Sequence, residues 1–365
     1  MEKITILFTI PNFETAGSGH ALFQLALGLK NKGYNIHIMA KHDRGSLVKR
    51  ILNEKIQFHV VPYESKARPL LKLFFYSFKI SRIFKEIKPD IIYSYHYSSD
   101  YSEAMASFFA GIPWLYIKKN MSWYGPSQRS WYIRSFLAKK INVQNSEMES
   151  EFLFRFSKKL IHIPIGVNTD IFKPTNKNKN NQFTFIHVST LLPIKGVHIL
   201  LKAYMKLLSN FPNGHRLVIL GPDKTEYIKN LKIKYSSINK ISFIGKRKDV
   251  HKYLDNAHCF VQSSLNEGRR EGAPIALQEA MAMELISIGS KVAGINDQLK
   301  DFDYLRYNSE NPFELKEVML RVLNMTTSER AKIGKKLRLK IINEYSLLNE
   351  TDKTVNMLKT ILKVK

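Results

Sequence analysis

Short apolar runs alternate along the chain with segments whose apolar residues recur at helical spacing. The short runs fit buried strands and the longer segments fit amphipathic helices. Predicted strands in the first part of the chain are 4–9, 35–40, 58–61, 91–95, 114–117 and 141–143. Further strands are predicted at 183–188, 217–220, 241–244, 259–262 and 286–288. This alternation predicts an α/β fold with mostly parallel sheets.

A polar segment interrupts the alternation. It begins Phe172-Lys173-Pro174 and continues through residue 181 with lysine and asparagine, without apolar periodicity. We interpret it as a linker, which predicts two Rossmann-like domains over 1–172 and 173–345. Ligands of such domains collect at the carboxyl ends of the strands.

Charge is the most unusual feature of the composition. The 365 residues include 57 Lys and Arg against 31 Asp and Glu, a net charge of +26. This excess favours an anionic partner, and nucleic acid, acidic lipid and phosphorylated substrates all qualify. The single cysteine, Cys259, lies in an apolar run, which predicts a packed core thiol and a reducing compartment.

The hydropathy pattern predicts neither a signal peptide nor a membrane span. The first apolar run is short and ends at Pro11, and no window reaches the 18 apolar residues of a spanning helix. A cytoplasmic protein is therefore expected, with a peripheral position on the inner face of the cell membrane as an alternative. Segment 66–85 mixes bulky apolar residues with cations, which fits either a helix on an anionic bilayer or a core helix with exposed lysines.

The most specific chemical signal is a pair of glutamates around a helix start. Glu271 and Glu279 have seven residues between them, and Pro274 suits the first turn of a helix over 275–283. The free N–H groups of that turn can hold a diphosphate. Glu271 would then lie beside the bound group and Glu279 inside the helix, where a carboxylate accepts from ribose hydroxyls. The alternative is a surface loop before an ordinary buried helix.

Two further strand-to-helix turns fit the same chemistry. Lys195 follows the strand 183–188 and precedes a helix, where its ammonium group can reach a diphosphate. Gly17 and Ser18 lie between the first strand and a helix predicted over 21–32, and glycine there permits a close backbone approach to a phosphate or sugar. Without the full dinucleotide-binding spacing, this second turn is equally well interpreted as a plain connection.

Together these segments resemble the family-4 glycosyltransferases of the GT-B fold over nearly the whole chain. The specific match is 271–282, which looks like the family's E-x7-E motif. Weaker matches are 16–17, 33–36, 88–92, 163–172, 188–196 and 243–245. The resemblance implies two Rossmann-like domains facing each other across a cleft. It also implies that a C-terminal helix, 346–365, packs back on the first domain.

The resemblance further implies transfer of a sugar, with retention, from a nucleotide sugar that is expected to be UDP-linked. The acceptor would be a surface polysaccharide or a lipid-linked oligosaccharide, and no metal or other cofactor is expected. Glu271 would hold the sugar near the reacting carbon. The donor-binding residues would be Gly17, Ser18, Thr190, Lys195, Gly245, Lys246, Gly272, Pro274, Ile275, Ala276 and Glu279.

The chain departs from the family pattern at two positions. Thr190 stands where an arginine is common, which places more of the diphosphate charge on Lys195. Lys118-Lys119-Asn120 stands where a histidine is common on the acceptor side, so Lys119 and His96 become catalytic candidates. For His96, packing among tyrosines is the competing interpretation.

A cluster of aromatic and basic residues is a second candidate acceptor region: Trp123, Tyr124, Arg129, Trp131, Tyr132 and Arg134. Asp301-Phe302-Asp303 matches a metal-binding D-x-D motif, but its place after the motif helix favours a surface coincidence. No metal is expected, because the histidines lack ligand spacing.

Two other functions remain open at this point. A nucleotide-sugar epimerase of GT-B-like fold would share the donor site and release free sugar. A basic nucleic-acid-binding protein would explain the charge but not the paired glutamates. Nucleic acid is therefore not expected among the partners.

Overall fold

The computed structural model describes residues 3–14, 16–45, 47–65, 68–96, 98–121, 127–150, 153–175, 182–267 and 271–363. The chain divides into two compact units. The first comprises Met1–Gly166 with Leu347–Lys365, and the second comprises Val167–Ser346. The division therefore precedes the polar segment interpreted as a linker, of which 176–181 lie outside the described residues.

The first unit is built on a parallel sheet of seven strands, counted over the described residues, in the order β3-β2-β1-β4-β5-β6-β7. The strands are β1 Thr5–Ile10, β2 Asn35–Ala40, β3 Gln57–Val60, β4 Ile91–Ser94, β5 Trp114–Lys118, β6 Lys140–Val143 and β7 Leu160–His162. The helices that connect them are α1 Ala16–Asn31, α2 Val48–Asn53, α3 Leu70–Ile87, α4 Ser102–Ala110, α5 Gln128–Leu137 and α6 Glu147–Ser150.

The second unit repeats the plan with six parallel strands among its described residues, in the order β10-β9-β8-β11-β12-β13. The strands are β8 Phe183–Val188, β9 His215–Leu220, β10 Ile241–Gly245, β11 Cys259–Gln262, β12 Ile286–Ser290 and β13 Arg306–Tyr307. The helices are α7 Val197–Asn210, α8 Glu226–Lys234, α9 Val250–Asp255, α10 Ile275–Ala282, α11 Ile295–Gln298, α12 Pro312–Asn324 and α13 Thr327–Glu344.

The strands are continuously apolar because helices cover both faces of each sheet. In β1, the consecutive residues Ile6, Leu7 and Phe8 are all fully buried, and β11 buries Cys259 in the same way. The predicted parallel α/β fold is confirmed. The predicted strands lie within two residues of the observed bounds, whereas the short strands β7 and β13 were not predicted.

Each sheet contains one point at which the order of the strands reverses. In the first sheet this point lies between β1 and β4, and in the second between β8 and β11. The connections on the two sides of such a point leave in opposite directions, which opens a crevice at the carboxyl ends of the two strands. Candidate residues lie at both points, because His96 follows β4, Lys195 follows β8 and Glu271 follows β11.

The last helix, α14 Leu347–Leu362, belongs to the first unit and packs along α1. The helices approach closely at Gly28, where a Cβ atom would lie 2.6 Å from Oγ1 of Thr351. Beside this contact, Oε2 of Glu350 accepts a hydrogen bond of 2.8 Å from the backbone N–H of Gly166. Glu350 thus joins helix α14 to Gly166, where the N-terminal part of the first unit ends.

None of the helices in the described part of the chain has the length and apolar character needed to cross a bilayer.

We predict that Glu350 makes stability depend on pH. Burial raises the pKa of Glu350 to about 8, above the ordinary value of about 4.3. Between these values the folded protein binds a proton that the unfolded chain has lost, so stability falls as pH rises through this window. Glu350→Gln keeps an acceptor for Gly166 and removes the titration.

The free energy of unfolding of Glu350→Gln relative to wild type should therefore rise between about pH 5 and about pH 8. The expected change is on the order of 3–5 kcal/mol. Urea unfolding curves at the two pH values measure it, with the exposed Glu86→Gln as control. Equal pH dependence in Glu350→Gln and wild type would show that the carboxyl group of Glu350 does not titrate in this window.

Candidate functional site

The structure brings together two residues that the sequence assigns to donor binding. Lys195 ends the short 3-10 helix Pro193–Lys195 after β8, and Glu271 lies in the loop after β11. Their side chains, 22% and 13% exposed, form an ion pair between Nζ and Oε1. The pair occupies the switch point of the second sheet, where nucleotide ligands bind in open α/β folds.

The loops after β8 and β11 pass very close to each other at Gly196. Gly196 has a φ of +63°, and a Cβ atom there would lie 1.8 Å from the carbonyl oxygen of Ser263. Only glycine fits this approach. Two hydrogen bonds join the loops at this point. Ser263 Oγ donates to the carbonyl of Lys195 at 2.9 Å, and the N–H of Leu265 donates to the carbonyl of Ile194 at 2.8 Å.

Ser264 orients the carboxylate of Glu271. Its hydroxyl donates to Glu271 Oε1 at 2.8 Å and accepts from Nε2 of Gln262 at 2.8 Å. The carbonyl of Ser264 in turn accepts from Oγ of Ser290 at 2.6 Å. Sequence reasoning missed Ser264. The available signal was its position two residues after the strand that precedes Glu271.

Helix α10 begins where the sequence predicts, with Pro274 as its N-cap. Gly272 lies in the preceding loop, packed against the backbone of Gly294, where a Cβ atom would lie 2.2 Å from the Gly272 carbonyl oxygen. Ile275 and Ala276 form the half-buried first turn. The N–H groups of a first helical turn have no partner within the helix, which favours an anion there.

Glu279 lies one turn inside α10 and is half-buried. Among the described residues, its carboxyl group forms no hydrogen bond or ion pair. Burial raises the pKa of Glu279 to about 8. A carboxyl group with unused oxygens is suited to accept from a pair of ligand hydroxyls.

A buried histidine fixes the turn that carries Thr190. His187 Nδ1–H donates to the carbonyl of Val261 at 2.8 Å, so its Nε2 accepts from Oγ of Ser189 at 2.8 Å. Burial lowers the pKa of His187 to about 4, which keeps the ring neutral. Ser189 Oγ also accepts from the N–H of Leu191 at 3.1 Å. Thr190 is therefore exposed on a constrained turn.

The remaining donor-side prediction concerns the end of β10. Gly245 closes this strand with a φ of +80°, and Lys246 follows it with an exposed side chain. The N–H of Gly221 donates to the carbonyl of Gly245 at 3.1 Å, which joins the ends of β9 and β10. Both residues therefore lie at the carboxyl edge of the second sheet.

In the first unit, His96 follows β4 and is buried against an acid. Its Nε2 lies 2.7 Å from Oε1 of Glu64, and Lys41 pairs with the other carboxylate oxygen. Burial favours a raised pKa for Glu64, but the hydrogen bonds from His96 and Lys41 lower the pKa overall. The side chain of His96 is thus buried, as the packing interpretation expects, and it also contacts the carboxyl group of Glu64. Glu64, which follows the third strand, was missed by sequence reasoning.

Lys119 lies beside the same strand end. Its Nζ donates to the carbonyl of Tyr95 at 2.9 Å and lies 4.5 Å from the centre of the Tyr95 ring. Burial lowers the pKa of Lys119 to about 7. A substantial fraction of its amino groups is therefore uncharged near neutral pH, which is a requirement for a general base.

The structure corrects the prediction of a glycine-rich turn before the first helix. Gly17 and Ser18 lie in the first turn of α1, which begins five residues before the predicted Ala21. Within this first turn, a Cβ atom at Gly19 would lie 3.0 Å from the ring of Phe13. Gly17 and Ser18 therefore belong to the N-terminus of a helix rather than to a turn that precedes it.

The predicted aromatic acceptor region is also corrected in part. Trp131 and Arg134 are buried, and Cζ of Arg134 lies 4.7 Å from the ring of Trp114 and 4.9 Å from that of Tyr116. Arg134 also donates to Oγ of Ser94 at 3.0 Å, so these two side chains stabilise the interior. Arg129 and Tyr132 are exposed, whereas Trp123 and Tyr124 lie outside the described residues.

Both aspartates of the D-x-D match form ion pairs with basic side chains. Asp301 pairs with Lys340 at 2.5 Å, and Asp303 pairs with Arg306 at 2.6 Å. In the part of the chain that the structure describes, no group of three His, Cys, Asp or Glu residues is placed to hold a metal ion.

Two family models match the chain. "Glycosyl transferases group 1" matches residues 168–340, and "Glycosyltransferase Family 4" matches residues 15–171. An uncharacterized glycosyltransferase from Methanocaldococcus jannaschii is 26% identical over 262 residues, which are 61% of this chain and 61% of that protein. The matched part is thus less than two thirds of that relative.

Solved structures resemble the whole fold. A glycosyltransferase from Rickettsia africae has a TM-score of 0.85 at 20% identity and covers 100% of both chains. Anabaena HepE in complex with UDP and glucose has a TM-score of 0.79 at 18% identity, over 98% of this chain and 100% of that chain. The predicted GT-B fold is confirmed by these likenesses.

We predict that Lys119 titrates near neutral pH. Because burial disfavours the ammonium form, its signal in the NMR spectrum of isotope-labelled lysine should shift with a midpoint of about pH 7. Ordinary lysines titrate near pH 10.4. Lys119→Arg identifies the signal by its disappearance. A midpoint above about pH 9 for that signal would mean that the amino group is well hydrated.

Proposed function

The chain belongs to the family-4 glycosyltransferases of group 1, and on this basis we propose that it transfers a sugar from a nucleoside-diphosphate sugar to a glycan acceptor, with retention of the anomeric configuration. The observation that carries the proposal is the meeting of Lys195 and Glu271 at the switch point of the second sheet. These residues come from the two loops that flank a nucleotide crevice.

The leaving diphosphate must be stabilised as charge develops on it. Lys195 supplies a point charge, and the first turn of α10 supplies backbone donors and the positive end of the helix dipole. This arrangement supports a reaction that proceeds without a metal ion. Because Lys195 is paired with Glu271, a bound diphosphate would share the lysine with this carboxylate or displace it.

The two glutamates would then have separate roles. Glu271, held by Ser264 beside Lys195, would bind the sugar hydroxyls near the reacting carbon. Glu279, one turn deeper in α10, would accept from the ribose hydroxyls with oxygens that the described residues leave unused. Gly245 and Lys246, at the end of β10, would approach the base.

We propose UDP as the nucleotide, which the likeness to the UDP-bound Anabaena fold supports. The proposed acceptor is a surface polysaccharide or lipid-linked oligosaccharide, contacted by His96 and Lys119 in the first unit. A cytoplasmic location is supported by the single, buried thiol of Cys259. A peripheral position on the inner face of the cell membrane would suit a lipid-linked acceptor.

The test begins with a thermal-shift screen of nucleotide sugars, because a ligand of the folded state raises the unfolding temperature. The stabilising donor is then incubated with and without glycan acceptors in the presence of a chelator. Acceptor-dependent transfer with release of the nucleotide supports the proposal. Release of free, epimerised sugar without acceptor would instead identify an epimerase, and loss of transfer with the chelator would overturn metal independence.

We predict that Lys195→Met removes most of the donor affinity. The loss of one charge-assisted contact should cost on the order of 2–3 kcal/mol, measured by calorimetry with UDP. Lys229→Met, on the exposed surface of α8, is the control. Thr190→Arg should partly restore binding to the Lys195 variant. If it neither rescues that variant nor tightens binding in wild type, the side chain at 190 does not face the diphosphate.

We predict that substitution of Glu271 lowers turnover, whereas substitution of Glu279 lowers the affinity for UDP. Glu271→Gln releases Lys195 from its ion pair, so UDP should bind as tightly as in wild type or more tightly. Turnover should nevertheless fall on the order of a hundredfold, because the sugar contact is lost. Glu279→Gln should weaken UDP binding itself. Since the carboxylate is the better acceptor, wild-type binding should tighten as pH rises through about 8, and the glutamine variant should lack this dependence.

Calorimetry with UDP at several pH values and initial-rate kinetics measure these effects. The two substitutions replace the same type of side chain by its amide at different depths in the site, so each serves as the control for the other. Equal losses of UDP affinity in both variants would contradict the separate roles.

A further inference from the structure

Helix α3 exposes large apolar side chains on one side. Leu70, Leu71, Phe74, Phe75 and Phe78 are 68%, 74%, 49%, 68% and 46% exposed. Phe108, at the end of α4, is 69% exposed. We call these six residues the aromatic face. Contiguous exposed apolar surface of this kind marks an interaction site rather than ordinary surface variation.

The core does not need this face. The buried stripe of α3 consists of other residues, namely Leu73, Ser77, Ile80, Ser81 and Phe84. Successive residues of a helix are about 100° apart, so Leu71, Phe75 and Phe78 point away from the centre of this stripe. The helix therefore carries two apolar stripes, of which the protein interior covers only one.

The two helices form one continuous surface. Phe109 of α4 is half-buried, and its ring centre lies 5.1 Å from that of Phe74 and 6.4 Å from that of Phe78. The ring of Phe108 lies 6.1 Å from that of Phe109. Phe109 thus connects Phe108 to the rings of α3, and these contacts orient the exposed rings.

Cations border the aromatic face. Helix α3 carries Lys72, Lys79, Arg82 and Lys85, all exposed, against one acid, Glu86. Cζ of Arg82 lies 5.1 Å from the centre of the Phe78 ring, so a positive charge lies directly beside an apolar side chain. The one acid of α4, Glu103, is fully buried and contributes no exposed negative charge.

We propose that the aromatic face docks the first unit onto an anionic phospholipid bilayer. The rings and leucines would enter the boundary between headgroups and acyl chains, while the lysines and Arg82 contact lipid phosphates. A helix lying in the interface needs one apolar side and a cationic border, and α3 has both. The proposal extends the proposed transfer reaction, because it would place a lipid-linked acceptor and the enzyme on one surface.

The combination of apolar side chains and cations on this surface favours a bilayer over nucleic acid or a second copy of the chain as its binding partner. Nucleic acid would engage the cations but would leave the exposed leucines in water. A symmetric contact between two copies would bring the cationic borders of both copies together around a desolvated patch, which is unfavourable. A bilayer with anionic headgroups instead satisfies both the apolar side chains and the charges.

The test is co-sedimentation of the full chain with vesicles. One set contains phosphatidylcholine alone, and the other contains phosphatidylcholine mixed with phosphatidylglycerol. The full chain should bind the mixed vesicles, bind the neutral vesicles less, and lose affinity as salt is raised. The measurement needs neither donor nor acceptor, so failure of docking and failure of the proposed transfer are distinguishable.

Two variants separate the apolar and ionic contributions. Phe75→Asp with Phe78→Asp should reduce binding to mixed vesicles at least about tenfold. Lys72→Gln with Lys79→Gln should reduce it about fivefold for each lysine removed. Helix α8 supplies matched controls, because Ile233 is 73% exposed and Lys229 and Lys234 are exposed. Ile233→Asp and Lys229→Gln with Lys234→Gln should leave vesicle binding unchanged.

Circular dichroism and thermal unfolding verify that each variant is folded. Three outcomes would overturn the proposal. The first is equal sedimentation of wild type with both kinds of vesicle, and the second is unchanged binding in the phenylalanine variant. The third is a dimer, seen by analytical ultracentrifugation without lipid, that the phenylalanine variant dissociates, since the face would then be covered by a second copy.

Discussion

The close approach of Gly196 to the carbonyl of Ser263 is the contact on which the donor-side chemistry depends. Strands β8 and β11 are neighbours in the sheet, but the charged residues lie in loops well beyond the strand ends. A side chain at 196 would push these loops apart, because its first carbon would overlap a backbone oxygen. The glycine lets the loop after β11 donate two hydrogen bonds to carbonyl groups of the loop after β8. Lys195 and Glu271, 76 residues apart, then meet.

The two switch points share a topology and differ in chemistry. At the first, the carboxylate of Glu103 is fully buried and accepts hydrogen bonds from the hydroxyls of Thr9 and Ser94. His96 and Lys119 follow the ends of β4 and β5. At the second, Lys195 and Glu271 remain partly exposed. The same arrangement of strands therefore carries a buried hydrogen-bond network in one unit and a partly exposed ion pair in the other.

Much of the fold follows from the sequence, because buried parallel strands are continuous apolar runs. Asn35–Ala40, Phe183–Val188 and Cys259–Gln262 could be predicted with their bounds. Strands β7 and β13 could not, since three and two residues carry no periodicity. At the site, residue types and spacing indicate Glu271 and Lys195. The support from Ser264 and the pairing of His96 with Glu64 depend on loop conformation, which local pattern does not specify.

The packing of α14 on α1 has a consequence for biosynthesis. The ribosome synthesises the entire second unit before α14, so the first unit is completed only after the second unit has been synthesised. Until then, the surface of α1 around Gly28 and the N–H of Gly166 lack the partners that Thr351 and Glu350 provide. The second unit, by contrast, is continuous in sequence and holds its own core. Domains generally fold as units during synthesis. The second unit can therefore complete its fold without α14, whereas completion of the first unit requires a helix that is synthesised after the whole of the second.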